Sequence, residues 1–240
     1  MRRVLESGEE VFVAIISHLR AGNVEAMTAQ VGPATWYVGS GEGAEYGAHA
    51  AQVVEAGGLC PSRNAALDDG HRLGLPVVEL SDDLRRLQFA PSKLRADLRP
   101  LTFDAAVQWM LDRSREYGAK LAGAAPTDNP FFLNPGKPVR QGNFIVGDFI
   151  VVQPCHQRFD ERLMLKEDYD YTLQHVEGFG GVARCDNVLA SFLHRGNAGG
   201  ACAFRTSERE QDAIRFLKAK WPGLLHDHPS RADEVVLRLR

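Results

Sequence analysis

The sequence contains few cysteines, and none of them has the spacing of a metal-binding motif. The four cysteines, Cys60, Cys155, Cys185 and Cys202, are far apart, with no Cys-x-x-Cys pair and no Cys/His spacing typical of a zinc site. We therefore expect the thiols to be reduced and mostly structural.

Long apolar runs are absent as well. No stretch approaches the roughly 20 apolar residues that are needed to cross a bilayer. The segment that follows Met1 has only a short apolar run and lacks the cleavage site of a signal peptide. These absences predict a cytoplasmic protein without a membrane partner.

An excess of positive charge is also missing. The formal net charge of −3 argues against nucleic-acid binding by bulk charge, although a local basic face remains compatible with it. One segment between residues 84 and 100 provides such a face, with the cationic residues Arg85, Arg86, Lys93, Arg95 and Arg99. Such a run is usually only a solvated surface, so it gives weak support for an anionic partner.

What the sequence does contain is typical of a soluble α/β domain. Apolar residues make up 44% and charged residues 25% of the 240 residues, which favours one globular domain over residues 1–240. The runs 11–16 and 34–38 are rich in β-branched and aromatic residues and predict two buried strands, joined by a helix. Such a βαβ unit forms a mononucleotide-sized crevice at the ends of its strands.

A third apolar run, 75–80, ends abruptly in two carboxylates, Asp82 and Asp83. In open α/β sheets, ligands bind outside the carboxyl ends of such strands. The alternative is that the two residues only cap the next turn, since Asp is a favoured cap. From this stretch alone the two interpretations are equally supported.

Three other places carry candidate functional residues. The stretch 57–67 predicts a helix whose first turn holds Arg63 and Asn64, where a phosphate or ribose could bind or where the side chains could simply be exposed. Glu167 and Asp168 begin another helix, either because its dipole stabilises them or because one serves as a general base. His194 precedes a glycine-rich loop, and such loops can approach phosphates.

The order of these features resembles that of the GT-A glycosyltransferases. In this resemblance the strand ending in Ser81, Asp82 and Asp83 corresponds to an Asp-x-Asp-like metal and nucleotide-sugar motif, and Glu167-Asp168 to a helix facing the acceptor. His194 corresponds to a late metal ligand. The resemblance covers about residues 11–205, leaving a C-terminal helix and tail over 206–240, and it implies a single-domain Rossmann-like mixed sheet flanked by helices.

A narrower resemblance rests on the amino-acid sequences of three stretches. Residues 57–67, 78–83 and 165–170 are similar to the TET-associated glycosyltransferase group encoded by phages, whose members are thought to add sugars to 5-hydroxymethylated pyrimidines in DNA. It implies a hexosyltransferase that uses a nucleotide sugar, expected to be a UDP-sugar, together with Mn²⁺ or Mg²⁺. One departure is Ser81, which occupies the first Asp position of the motif.

The resemblance assigns roles to individual residues. Asp83 and His194 would bind the metal, and Asp82 would contact ribose or sugar. Asp168, with Glu167 beside it, would take the proton of the acceptor hydroxyl, which implies inversion at the sugar carbon. The residues expected on the nucleotide side are Ser17, Arg20, Gly39, Arg63 and Asn64, with Arg195 near phosphate.

For a DNA acceptor, the basic segment and the adjacent aromatics Phe131 and Phe132 are candidates for holding the backbone and filling the space of an extruded base. A GT-A enzyme that acts on a saccharide or small molecule would need the same donor site without a basic face. A sugar nucleotidyltransferase would need a more basic, glycine-rich signature than 17–22 provides. A domain that only binds nucleotide or DNA is the third alternative.

Overall fold

The computed structural model describes residues 1–137, 143–193, 199–200 and 204–239. The strands are β1 (Arg2–Val4), β2 (Glu10–Ile16), β3 (Thr35–Val38), β4 (Val53–Glu55), β5 (Val77–Ser81), β6 (Leu84–Phe89), β7 (Arg99–Pro100), β8 (Leu121–Ala124), β9 (Phe149–Val152), β10 (Ala183–Cys185), β11 (Val188–Phe192), β12 (Leu225–Asp227) and β13 (Val235–Leu237). The α-helices are α1 (Val24–Val31), α2 (Gly43–Gly47), α3 (Leu59–Arg72), α4 (Phe103–Glu116), α5 (Glu167–Phe179) and α6 (Ser207–Lys220). Short 3₁₀ turns cover Ala21–Asn23, Arg95–Asp97 and Pro130–Phe132.

The central sheet is mixed, with the strand order β10-β8-β9-β5-β2-β3-β4. Strand β9 runs antiparallel to both of its neighbours, while the other pairs along this path are parallel. Strand β1 pairs antiparallel with the start of β2. Six strands therefore end at one edge, where β9 begins. The prediction of a mixed α/β sheet flanked by helices is confirmed.

Strand β2 shows why both faces of this sheet are covered. Val11, Val13 and Ile15 belong to a core cluster that includes residues of α1 and α4. Phe12, Ala14 and Ile16 belong to a second cluster with residues of α3 and α5. Because successive side chains of a strand point to opposite faces, a strand that is apolar throughout must be covered on both sides.

A smaller antiparallel sheet, β11-β6-β7, begins where β5 ends. It contains the segment that the sequence presents only as a basic run. At the other end of the chain, α6, β12 and β13 pack against α5 in a separate apolar cluster. Among the residues that the structure describes, no helix combines the length and apolar character needed to cross a membrane.

Gly70 allows α3 to approach the sheet closely, and this makes a test of the packing. A Cβ atom there would contact the side chain of Val77 and lie 2.9 Å from Phe12 Cβ. We expect Gly70→Ala to lower the free energy of unfolding by about 1–3 kcal/mol in urea denaturation, since overpacking forces the core apart. Gly47→Ala is the control, because a Cβ there meets no atom within 4 Å. Equal stability of the two variants would contradict this packing.

Candidate functional site

The carboxylates that follow β5 lie in a buried turn at the carboxyl edge of the sheet. Asp82 Oδ1 accepts a hydrogen bond from Arg20 Nη1 at 2.9 Å, and Asp82 Oδ2 accepts one from Ser17 Oγ. Asp83 Oδ2 lies 3.5 Å from the same Arg20 nitrogen. Burial raises the pKa of Asp82, and the hydrogen bonds from Ser17 and Arg20 offset part of that effect. The structure thus brings together four predicted site residues from the ends of β2 and β5.

Asp82 is almost fully buried, and both of its carboxylate oxygens bind groups of the protein. In this placement it holds Ser17 and Arg20 in position, and its predicted contact with ribose or sugar stays a prediction. Asp83, which follows it in the turn, is the carboxylate of the pair that remains a candidate ligand.

Tyr46 belongs to the same site, although the sequence did not single it out. Its hydroxyl group lies 2.5 Å from Ser17 Oγ and accepts a hydrogen bond from the Arg20 amide at 2.8 Å. Tyr46 is fully buried, and burial raises the pKa of its hydroxyl to about 12. The phenol therefore stays neutral and fixes the loop that follows β2.

Glu42 holds the same loop from the end of β3. Its carboxylate contacts His18 Nδ1 and accepts a hydrogen bond from the Leu19 amide at 2.8 Å. A Cβ atom on Gly39 would collide with both Glu42 and His18. Gly39 provides the space for the pair formed by Glu42 and His18, and its predicted place on the nucleotide side stays a prediction.

Two non-glycine residues in the described part of the chain have positive φ angles, and both adjoin candidate site residues. Leu19 (φ 57°) precedes Arg20, and Lys166 (φ 59°) precedes Glu167. Left-handed backbone costs such residues about 1–3 kcal/mol and is concentrated at functional sites. The Lys166 amine is held by Glu210 at 2.8 Å, which helps to maintain the strained start of α5.

A second group of carboxylates lies at the start of β9 and α5. Asp168 accepts a hydrogen bond from the Gly147 amide at 3.4 Å, and Asp148 accepts one from Ser81 Oγ at 3.1 Å. Burial raises the pKa of Asp168 well above its ordinary value, and the Glu167 and Asp148 carboxyl groups raise it further. Burial also raises the pKa of Glu167, which Arg63 opposes. A carboxylate with a raised pKa in a cleft is a candidate general base.

Arg63 lies beneath this second group and does not line the nucleotide side. Its guanidinium is 4% exposed and donates to Glu79 Oε2 at 2.9 Å and to the Gly147 carbonyl at 3.0 Å. Arg63 Nε lies 3.6 Å from Glu167 Oε1. The prediction of a phosphate-binding Arg63 is corrected, because the helix turns this residue into the core between α3, β5 and α5.

Asn64 is likewise occupied within the protein. Its side-chain oxygen accepts from the Phe159 amide at 2.8 Å, and its amide nitrogen donates to the Phe159 carbonyl at 3.0 Å. Asn64 Nδ2 also lies 3.0 Å from Glu161 Oε1. Asn64 therefore fixes the loop before α5, and nothing in these contacts supports its predicted place on the nucleotide side.

His194 and Arg195 lie outside the described residues, so their predicted roles remain predictions. The described residues on either side do approach the first site. The Leu193 amide donates to the Asp83 carbonyl at 3.3 Å, and Arg20 Nη2 donates to the Gly199 carbonyl at 3.1 Å. Within the described ranges no three His, Cys, Asp or Glu side chains form a group that could hold a metal.

A cavity of about 200 Å³ lies farther along the carboxyl edge of the sheet, on the side of β5 away from β2 and from the Ser17 and Arg20 loop. It lies between the ends of β8 and β11 and the start of β9. Its floor contains small or apolar side chains, and its rim carries Asp128, Asp148 and Ser191. Asp148 belongs both to this cavity and to the second group of carboxylates.

The basic face, defined as Arg85, Arg86, Lys93, Arg95 and Arg99, is exposed on and near the small sheet. Phe131 and Phe132 are 68% and 72% exposed and contact each other edge to face. They follow Asp128, whose carboxylate lies 3.9 Å from Arg86 Nη2. Arg86 of the basic face therefore lies beside Asp128, which lines the cavity and precedes the aromatic pair by three residues.

No protein-family model matches this chain, and no curated protein matches it. The candidate functional features of the described residues are the two groups of carboxylates, Arg20 and the cavity. All of them lie along the carboxyl edge of one sheet, which is the edge where α/β sheets bind ligands.

Proposed function

We propose that the protein is a metal-dependent glycosyltransferase that moves a sugar from a nucleotide sugar, a UDP-sugar in the first instance, to the hydroxyl of a 5-hydroxymethylpyrimidine in DNA. The observation that carries this proposal is the position of the Asp82-Asp83 turn. It lies between the Ser17 and Arg20 loop on one side and the Asp148, Glu167 and Asp168 carboxylates on the other.

Asp83 and Arg20 provide opposite charges at the place proposed for the diphosphate. The Arg20 guanidinium, held by Asp82, can bind phosphate oxygens. The Asp83 carboxylate is a hard oxygen donor of the kind that Mn²⁺ and Mg²⁺ favour, and His194 is the second proposed ligand. A bound divalent cation would offset the charge that develops on the leaving diphosphate.

Asp168 is the proposed general base. Its raised pKa makes it a stronger base than an ordinary aspartate, and its hydrogen bonds from the Gly147 and Tyr169 amides fix its direction. In the proposed reaction the acceptor hydroxyl gives its proton to Asp168 as its oxygen attacks the sugar carbon. Attack from the face opposite the leaving diphosphate gives inversion.

The basic face supports DNA as the acceptor. Its exposed cations can bind backbone phosphates, and the exposed Phe131 and Phe132 rings can stack on bases. Extrusion of the target base costs a few kcal/mol, which contacts of this kind would have to offset. A saccharide or small-molecule acceptor would need neither feature.

The test is mass spectrometry of hydroxymethylpyrimidine DNA after incubation with Mn²⁺ and UDP-glucose or other sugar nucleotides. We expect a mass increment of one sugar, which identifies acceptor class and sugar together. Asp83→Ala should lower the rate by about 100-fold or more, because the loss of a metal ligand removes several kcal/mol of charge stabilisation. Asp212→Asn, an exposed change on α6, is the control and should keep the parent rate.

Other results would contradict parts of the proposal. Transfer to free saccharides but not to DNA would favour the alternative acceptor class. Undiminished transfer by Asp83→Ala would exclude Asp83 as a ligand. A parent protein that binds nucleotide or DNA without transferring sugar would favour a binding module.

A further inference from the structure

The cavity beside Asp148 combines a small apolar floor with a polar rim. The floor includes Ala124, Ala125 and Ala190, and the rim includes Asp128 and Asp148. Asp128 Oδ2 accepts a hydrogen bond from Ser191 Oγ at 2.9 Å. Small side chains leave room for a ring, and carboxylates can accept hydrogen bonds from its hydroxyl groups.

The position of the cavity matches the order of groups in a nucleotide sugar. The Ser17 and Arg20 loop lies at the end of β2, the Asp82-Asp83 turn at the end of β5, and the cavity beside the start of β9 and the end of β8. A nucleotide sugar consists of nucleoside, diphosphate and sugar in that order. If the diphosphate lies at the turn, the cavity is on the side where the sugar would follow, because Ser81 at the end of β5 donates a hydrogen bond to Asp148 of the cavity at 3.1 Å.

We propose that this cavity holds the transferred sugar ring and that Asp128 and Asp148 restrict it to sugars without negative charge. The inference rests on the proposed function and specifies the class of its donor. A uronic acid would place its carboxylate in a cavity with two carboxylates on its rim. A neutral hexose would instead donate hydroxyl hydrogen bonds to the same oxygens.

Arg86 does not remove this selectivity. It lies 3.9 Å from Asp128, but both side chains are about half exposed, so water screens the pair. In such a partly solvated site, repulsion from each carboxylate weakens binding of an anionic sugar by about five- to tenfold.

The test compares the binding of UDP, UDP-glucose and UDP-glucuronate to the full chain by calorimetry, at fixed ionic strength with Mn²⁺. We expect the parent protein to bind UDP-glucuronate at least about tenfold more weakly than UDP-glucose. Asp128→Asn should reduce that ratio by about fivefold without changing UDP affinity, because it removes one charge but keeps an oxygen. Asp212→Asn removes a distant charge and should leave the ratio unchanged.

Ala190→Leu tests the size of the cavity independently of charge. Its larger side chain would fill space at the floor of the cavity. We therefore expect UDP to bind as in the parent protein, while UDP-glucose binds no more tightly than UDP. Thermal unfolding of each variant checks that it is folded. If Ala190→Leu is not folded, the ratio measured for Asp128→Asn decides.

The outcomes separate the inference from the proposed function. Binding of UDP and UDP-glucose with an unchanged ratio in Asp128→Asn would overturn the inference alone, because the donor site would remain. Binding of neither ligand by the parent protein would overturn both.

Discussion

Replacing Asp168 by asparagine is expected to lower sugar transfer by about 10²- to 10⁴-fold, the usual contribution of a general base. Asparagine has nearly the same shape and can still accept from the Gly147 amide, but it cannot take a proton. Asp168 is proposed to contact the acceptor hydroxyl and not the nucleotide or diphosphate, so UDP-glucose affinity should stay close to that of the parent. Initial rates and calorimetry measure the two quantities separately.

The pH dependence of the parent enzyme should identify the same group. A base works only when it is deprotonated, so the rate falls as the pH falls through its pKa. Because burial and the neighbouring Glu167 and Asp148 raise the pKa of Asp168, this loss should begin well above pH 4, the range of an ordinary aspartate. A profile of kcat/KM that stays flat down to pH 4 would exclude Asp168 as the base.

The free energy of unfolding provides a control, because Asp168→Asn is expected to raise it while lowering the activity. A carboxyl group whose pKa is raised by folding stabilises the folded state below its unfolded pKa, and that contribution is lost as the pH rises through the folded pKa. At pH 8, above its unfolded pKa, the buried Asp168 carboxyl group therefore lowers the stability of the fold relative to a neutral side chain. We expect Asp168→Asn to increase the free energy of unfolding at pH 8 while it decreases activity. A loss of both would indicate a merely disruptive substitution.

Part of the candidate site at the carboxyl edge of the central sheet could be predicted from the sequence, because parallel strands bring their carboxyl ends together. The apolar runs that form β2 and β5 each end in polar residues, and parallel strands end at the same edge of a sheet. Ser17 and Asp82 are therefore neighbours although 65 residues separate them in sequence.

Tyr46 and Asp148 could not be identified in the same way. Tyr46 lies in the five-residue helix α2, and only the tertiary fold brings its hydroxyl to Ser17. Asp148 precedes β9, and its place beside Ser81 depends on β9 pairing antiparallel with β5. A short apolar strand can pair in either direction, so the direction of β9 does not follow from its sequence.

Arg63 was misinterpreted although the sequence contained a signal. Arg63, Ala66, Leu67 and Gly70 are all buried and follow the spacing of one helix face. Glu79 interrupts the apolar run of β5, and a buried carboxylate needs a partner. The two observations together predict an internal ion pair, whereas the position of Arg63 in the first helical turn suggested a phosphate site.

Breaking this ion pair should produce the largest change in stability. We expect Arg63→Met to lower the free energy of unfolding by about 3–5 kcal/mol at neutral pH, because it leaves buried carboxylates without their cation. Arg72→Met is the matched control on the same helix. Arg72 pairs with Asp69 at 3.0 Å but is largely exposed, so its loss should cost at most about 1 kcal/mol.

The effect of Arg63→Met should depend on pH with a definite sign. Burial raises the pKa of Glu79 from 4.5 to about 7 even with Arg63 opposing it, so removal of Arg63 raises the pKa further. Below about pH 5 Glu79 is protonated in both folded proteins, and the difference between them should be smallest. As the pH rises through 7, the variant must either keep a proton or bury an unpaired charge, and the difference should grow. Chemical denaturation at pH 5, 7 and 8.5 measures this trend.

The double variant Arg63→Met with Glu79→Gln tests whether charge is the cause. Glutamine cannot ionise, so the double variant should recover part of the stability lost at pH 8.5 and vary less with pH than the single variant. Because Arg63 also lies 3.6 Å from Glu167 and lowers the pKa of Asp168, the single variant should shift the acid side of the activity profile to higher pH. A loss of stability that is equal at all pH values and not relieved by Glu79→Gln would indicate packing instead of charge. In that case Arg63 would support the fold without tuning the proposed base.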